Sequence, residues 1–173
     1  DCMADDFWYE RLRDQANQTQ STVSADWHLL YHLALNHMAR GKNREAESCF
    51  CESIRQKENA WSRYGLASLL CLEGREYERA VSGMGLMERA GDLSYVKEGF
   101  RVLARCGGYD ALIRVYEQLP ENVASESRVV LEYITALYQT GRYKEAYALL
   151  TAEGGLVVAD LREGENSIVC LWR

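Results

Sequence analysis

A single proline, Pro120, interrupts the 173 residues, so almost nothing in the chain forbids long helices. Alternating valine- and threonine-rich runs of the kind that build a sheet are missing too. Purely apolar stretches, such as 69–72, fall far short of the roughly 20 residues a membrane helix needs. Basic residues are outnumbered, 20 Lys and Arg against 26 Asp and Glu, giving a net charge of −6. That balance argues against nucleic acid as the main partner, because phosphate binding wants a basic footprint. What is present is an apolar fraction of 47%, enough to bury a core and to argue against disorder. The composition predicts an all-α protein, one domain or a short array of repeats, in the cytoplasm.

The six cysteines stand at positions 2, 49, 51, 71, 106 and 170 without a CxxC pair. Cys49 and Cys51 are two apart, so on a helix they point in different directions and cannot chelate one ion together. Buried free thiols are the expected state. The chain starts at Asp1 and shows no apolar signal segment, which suggests a piece of a longer polypeptide. Without a visible secretory signal, the sequon Asn17-Gln18-Thr19 reads as a chance match.

Self-similarity organises the rest. Tyr31-x-Leu33-Ala34 followed by Gly41 returns as Tyr64-x-Leu66-Ala67 followed by Gly74. Gly107-Gly108-Tyr109-Asp110-Ala111-Leu112 and Gly141-Arg142-Tyr143-Lys144-Glu145-Ala146 continue the series at nearly the same period. Upstream of the glycine, apolar residues recur at helical spacing: Leu30, Leu33, Ala34 and His37 in the first copy, Val130, Tyr133, Ile134 and Leu137 in the fourth. The glycine supplies the left-handed turn. Ala46, Ala80 and Ala146 then open a second helix with a side chain small enough for close approach, and Phe50, Tyr116 and Leu150 fill the gap between hairpins. Neither helix of a pair covers its stripe alone, so stacking of pairs makes the core.

This pattern resembles the tetratricopeptide repeat, whose unit of about 34 residues has a Gly-x-Tyr turn and a small residue opening its second helix. Gly141-x-Tyr143-x-Glu145-Ala146 carries the resemblance best. It implies an α-α superhelix of about four hairpins, over 26–59, 60–92, 93–125 and 126–153. Residues 1–25 are expected to form an extra helix and linker, with Phe7, Trp8 and Leu12 packed on the first hairpin, and 156–173 a short capping tail. The departures are Gly65 and Gly99 inside predicted helices, an insertion in the second unit, and the single inter-unit proline. The tail offers either a β-hairpin or a strand followed by a short helix. Its Ala159-Asp160-x-Arg162-Glu163-Gly164-Glu165-x-Ser167 and Leu171-Trp172 are similar to the end of large bacterial proteins. In those, a β-rich domain related to carbohydrate-binding or sugar-epimerase folds precedes repeats of this type.

No catalytic constellation emerges. Gly83-Met84-Gly85 falls in a predicted helix without the rest of a phosphate loop, no GxSxG elbow exists, and Glu163-Gly164-Glu165 reads as a polar turn. His28 and His32 have the spacing of a zinc protease helix, but Leu29 stands where the catalytic glutamate belongs. His37 is rotated off that face, so a third ligand is missing and neither metal nor other cofactor is expected. The remaining candidate is the concave surface that the resemblance implies, lined by the second, fifth, ninth and twelfth positions of each unit. These are His28, Tyr31, Leu35 and Met38, then Trp61, Tyr64 and Ser68, then Lys97 and Arg101, and finally Arg128, Thr135 and Tyr138. Aromatics and arginines are frequent anchors of protein interfaces. The basic residues with asparagines that mark a two-carboxylate clamp are not there. The expected function is therefore a non-catalytic scaffold for a protein or peptide segment, or for a domain of the same polypeptide. An accessory role in a carbohydrate-binding protein and homodimerisation are the alternatives.

Overall fold

A computed structural model describes residues 10–14, 26–74, 76–152 and 156, and every regular element among them is a helix. After the helical residues 10–14 come α1 (Trp27–Ala39), α2 (Asn43–Gln56), α3 (Ala60–Gly74) and α4 (Tyr77–Met84). Then follow α5 (Leu93–Arg105), α6 (Tyr109–Tyr116), α7 (Glu121–Ala124), α8 (Ser127–Gln139) and α9 (Tyr143–Leu150). The expectations for Phe7, Trp8, the sequon and the tail 157–173 lie outside the described residues. None of the described helices is long and apolar enough to cross a membrane. The chain divides into two compact units, Asp1–Gly74 and Arg75–Arg173, so the two helices of the second repeat belong to different units.

In the first unit α1 and α2 form a hairpin, and α3 packs on both of them. The turn between α1 and α2 shows why the repeat carries its glycine. Gly41 sits at φ 70°, where only a residue without Cβ is comfortable. The Lys42 N–H then reaches the His37 carbonyl at 2.9 Å and the Gly41 N–H reaches Met38 at 3.1 Å, which satisfies the last carbonyls of the helix. The same pair of bonds recurs at Gly107 and Gly141. Asp26 caps α1 by accepting the His28 N–H, and Asn59 caps α3 by accepting the Ser62 N–H at 2.8 Å.

The core of this unit gathers Ala34, Ala46, Phe50 and Leu69, with Tyr31, Leu35, Met38, Cys49 and Leu66 half-buried around it. Phe50 is fully buried, and its ring occupies the space where a side chain at Gly65 would stand. Leu12 packs on the first hairpin, joining Leu33, Leu29 and Cys49 as expected. A buried polar link ties the three helices together at one end. The Ser53 hydroxyl donates to the Trp27 carbonyl at 2.7 Å and lies 2.7 Å from the Ser62 hydroxyl, both serines being fully buried.

In the second unit α8 packs on both α5 and α6, as α3 does on the hairpin before it, and α4 touches both α5 and α6. Gly99 on α5 receives Leu86 as Gly65 receives Phe50, so the two helix-interior glycines are sockets for a large side chain from the preceding repeat. Gly108 leaves room for the Tyr77 ring, whose hydroxyl donates to the Cys106 carbonyl at 2.9 Å. Tyr116 and Tyr133 stack at 3.8 Å between centroids, and Ala80, Ala111 and Ala146 are buried where helices approach closely.

Two local expectations need correction, and one short helix is added. Gly83 and Met84 are helical, but Gly85 at φ 66° terminates α4, because its left-handed backbone closes the helix early. A four-residue helix, α7, follows Pro120, whose fixed φ suits the entry to a helix. In α8 the buried stripe is Val129, Leu131, Ile134, Ala136 and Leu137, with Val130 and Tyr133 only half-buried. Packing against both helices of the preceding hairpin widens the stripe beyond one face.

Candidate functional site

The surface residues expected to line a groove divide between the units: His28, Tyr31, Leu35, Trp61 and Tyr64 in the first, Lys97, Arg101, Arg128 and Tyr138 in the second. In the second unit Arg101 is exposed and donates to Glu98 at 3.0 Å, one turn earlier on α5. Lys97 and Arg128 are half-buried. Tyr138 meets Tyr143 edge-on at 5.2 Å, and the Thr135 hydroxyl is spent on the Leu131 carbonyl of its own helix at 2.8 Å.

The first unit holds an aromatic shelf on α1 and α3. Trp61, near the start of α3, exposes 64% of its surface, although an indole is normally drawn inside. Its ring lies 6.5 Å from that of Tyr31, which also faces Phe50 at 6.2 Å and so joins shelf to core. Leu35 and Met38 continue along α1 half-buried on the same core, which makes the far end of this face a wall of the core more than a free surface. Tyr64 and Ser68 are half-buried on α3.

Around Tyr31 the rings continue. His28 and His32, one turn apart on α1, stand edge to face with centroids at 4.6 Å and their Nε2 atoms 3.3 Å apart. Trp27 meets His28 edge-on at 5.4 Å, and Tyr31 meets His32 at 5.2 Å. The Lys57 ammonium lies 5.0 Å from the centre of the Trp27 ring, close enough for cation–π attraction. Burial lowers the pKa of His32, and the neighbouring His28 adds to that effect. Burial raises the Tyr31 phenol. Sequence reasoning found His28, Tyr31 and Trp61 but passed over Trp27 and Lys57. The signal for them was the cluster of three rings in Trp27-His28-x-x-Tyr31, with a lysine just after α2.

Among the described residues no group of three or more His, Cys, Asp and Glu is placed to hold a metal ion. The four described cysteines are thiols outside any disulfide. Cys71 is buried and Cys49 and Cys106 are half-buried, but Cys51 is exposed, because it falls on the solvent side of α2. Desolvation, with a smaller contribution from Glu45, pushes the Cys49 thiol up to about 11.

No protein-family model, no curated protein and no solved structure matches this chain.

Proposed function

We propose that this chain is a scaffold of tetratricopeptide type, without catalytic activity, that binds an apolar or aromatic segment of a protein on the shelf formed by α1 and α3. The exposed indole of Trp61 carries the reading. Leaving so large an apolar ring in water costs free energy that a docking segment recovers, and aromatic side chains seated over a core wall are frequent binding hot spots. The Tyr31 ring lies 6.5 Å away and His28 is exposed one turn earlier on α1, so an extended segment meets apolar area with a few polar groups. Two repeated features support the family resemblance. One is the hairpin turn at Gly41, Gly107 and Gly141, and the other is the packing of α3 and of α8 on both helices of the hairpin before them. A bacterial parent protein with a carbohydrate-related domain belongs to the same proposal, and the tail motif around Asp160 and Trp172 is its support.

Selection from a displayed peptide library tests the reading. Peptides enriched on this chain are expected to carry an apolar or aromatic anchor. They should bind Trp61→Ala about 30-fold more weakly, the loss of a hot-spot contact of about 2 kcal/mol. Arg44→Ala on the exposed side of α2 serves as the control. Selected peptides that bind Trp61→Ala as well as the parent chain overturn the choice of surface.

Homodimerisation has one observation in its favour: Tyr143 and Tyr147, a turn apart on α9, are both largely exposed. Light scattering on the full chain and on Tyr147→Asp separates it from the first reading.

A further inference from the structure

Only two histidines share one face of α1 in the sequence, and what the structure adds is the relation of their imidazoles. His28 and His32 are the only histidines on their face of α1, and their Nε2 atoms stand 3.3 Å apart. Two nitrogens bound to one zinc at 2.0–2.1 Å with a tetrahedral angle are about 3.3 Å apart, whereas adjacent corners of a square plane lie about 2.8 Å apart. The separation of the pair therefore matches the length of one edge of a tetrahedral coordination sphere. We infer that His28 and His32 form a two-ligand site for a tetrahedral divalent ion such as Zn²⁺, with its other two positions open to solvent or to a ligand.

Trp27 meets the His28 ring and Tyr31 meets the His32 ring, both edge-on, so each imidazole has an aromatic neighbour on α1. Asp26 fixes the start of the helix by accepting the His28 backbone N–H at 3.2 Å. In the free protein the short Nε2 separation requires one ring to donate a proton to the other. The ion replaces that hydrogen bond: the donor ring carries its proton on Nδ1 instead, so a neutral pair binds metal without net proton loss. The site is independent of the scaffold reading, although it borders the same shelf. An ion with two open positions there gives a carboxylate or imidazole of a docked segment something to bind.

Equilibrium dialysis of the full chain against zinc chloride, with thiols kept reduced, is the direct test. One ion per chain is expected. Changing either histidine alone, as His28→Gln or His32→Gln, should weaken uptake about 100-fold, because the second ligand acts at a high effective concentration. His37→Gln should leave uptake unchanged, and circular dichroism confirms that each variant folds. Long-range ¹H–¹⁵N spectra should show the Nε2 resonances of His28 and His32 moving together on addition of zinc. Copper(II) should quench Trp27, whose ring touches His28. No uptake, uptake that survives both substitutions, or histidine nitrogens that stay unmoved would each overturn the assignment.

Discussion

Replacing Gly65 by alanine is the sharpest perturbation the packing offers, because two effects of opposite sign compete. In a helix interior alanine is favoured over glycine by about 1 kcal/mol, so propensity alone predicts stabilisation. The structure predicts the reverse. A Cβ at position 65 would lie 2.6 Å from Phe50 Cζ and 3.2 Å from Cδ1, and closer still to Cε1. Carbon atoms prefer about 3.5–4.0 Å, so the overlap is close to 1 Å. The ring cannot swing out of the way: Phe50 is fully buried and Tyr31 flanks it. Overpacking of this kind costs about 1–3 kcal/mol, and the size of the overlap places Gly65→Ala in the upper half of that range. The net expectation is a loss of about 1–2 kcal/mol once the propensity gain is subtracted. Urea unfolding followed by circular dichroism reads the helices of both units. Adding Phe50→Leu should restore part of the loss, as the double-mutant cycle of a clashing pair requires. Gly83→Ala is the counterpart, because nothing stands within 4 Å of a Cβ there. It should stabilise by up to about 1 kcal/mol. A Gly65→Ala variant as stable as the parent or more so would refute the close approach of α2 and α3.

Ser53→Ala leaves the Trp27 carbonyl without its donor and should cost about 1–3 kcal/mol in the same urea assay, while Ser48→Ala on the exposed side of α2 should stay within about 0.5. An equal effect of the two would contradict a structural role for the serine pair. At pH 8, iodoacetamide followed by mass spectrometry should label Cys51 well before Cys49 and Cys71, since the thiolate is the nucleophile and burial holds Cys49 near 11. Arg55 and Gln56 hydrogen bonds hold the Glu52 carboxyl near 2 against an ordinary 4.5. The unfolded chain therefore takes up the proton first as pH falls. Glu52 contributes stability that is full above 4.5 and lost towards 2, in small amount because the group is exposed. A carboxyl NMR titration should place its midpoint near 2, and a midpoint at 4.5 would remove the argument.

The hairpins were legible because each turn needs a residue that tolerates positive φ and each second helix needs a small residue at its closest approach. Gly41, Gly107 and Gly141, with Ala46 and Ala146, write those demands into the sequence. Gly65 and Gly99 looked like blemishes, since propensity is local and their reason is a ring or a branched side chain 13 or more residues earlier in the chain. The early end of α4 at Gly85 was hidden by the apolar run around it. The α8 stripe was read one residue off at Val130, because periodicity assumes one buried face and this helix has neighbours on two. For the site, types and spacing marked His28, Tyr31 and Trp61. The 3.3 Å between Nε2 atoms depends on side-chain rotation, which no spacing rule fixes.

The central claim is that a large side chain plugs a glycine inside a later helix of its own unit, Phe50 into Gly65 of α3 and Leu86 into Gly99 of α5. Nuclear Overhauser spectroscopy on the labelled chain reads this contact between protons. Strong cross-peaks from the Gly65 α-protons to the Phe50 ring, with those α-protons shifted by the ring current, and from the Gly99 α-protons to the Leu86 methyls are the predicted result. Their absence, with the Phe50 ring giving its cross-peaks to some other helix, would contradict the packing on which both the shelf and the register of α3 depend.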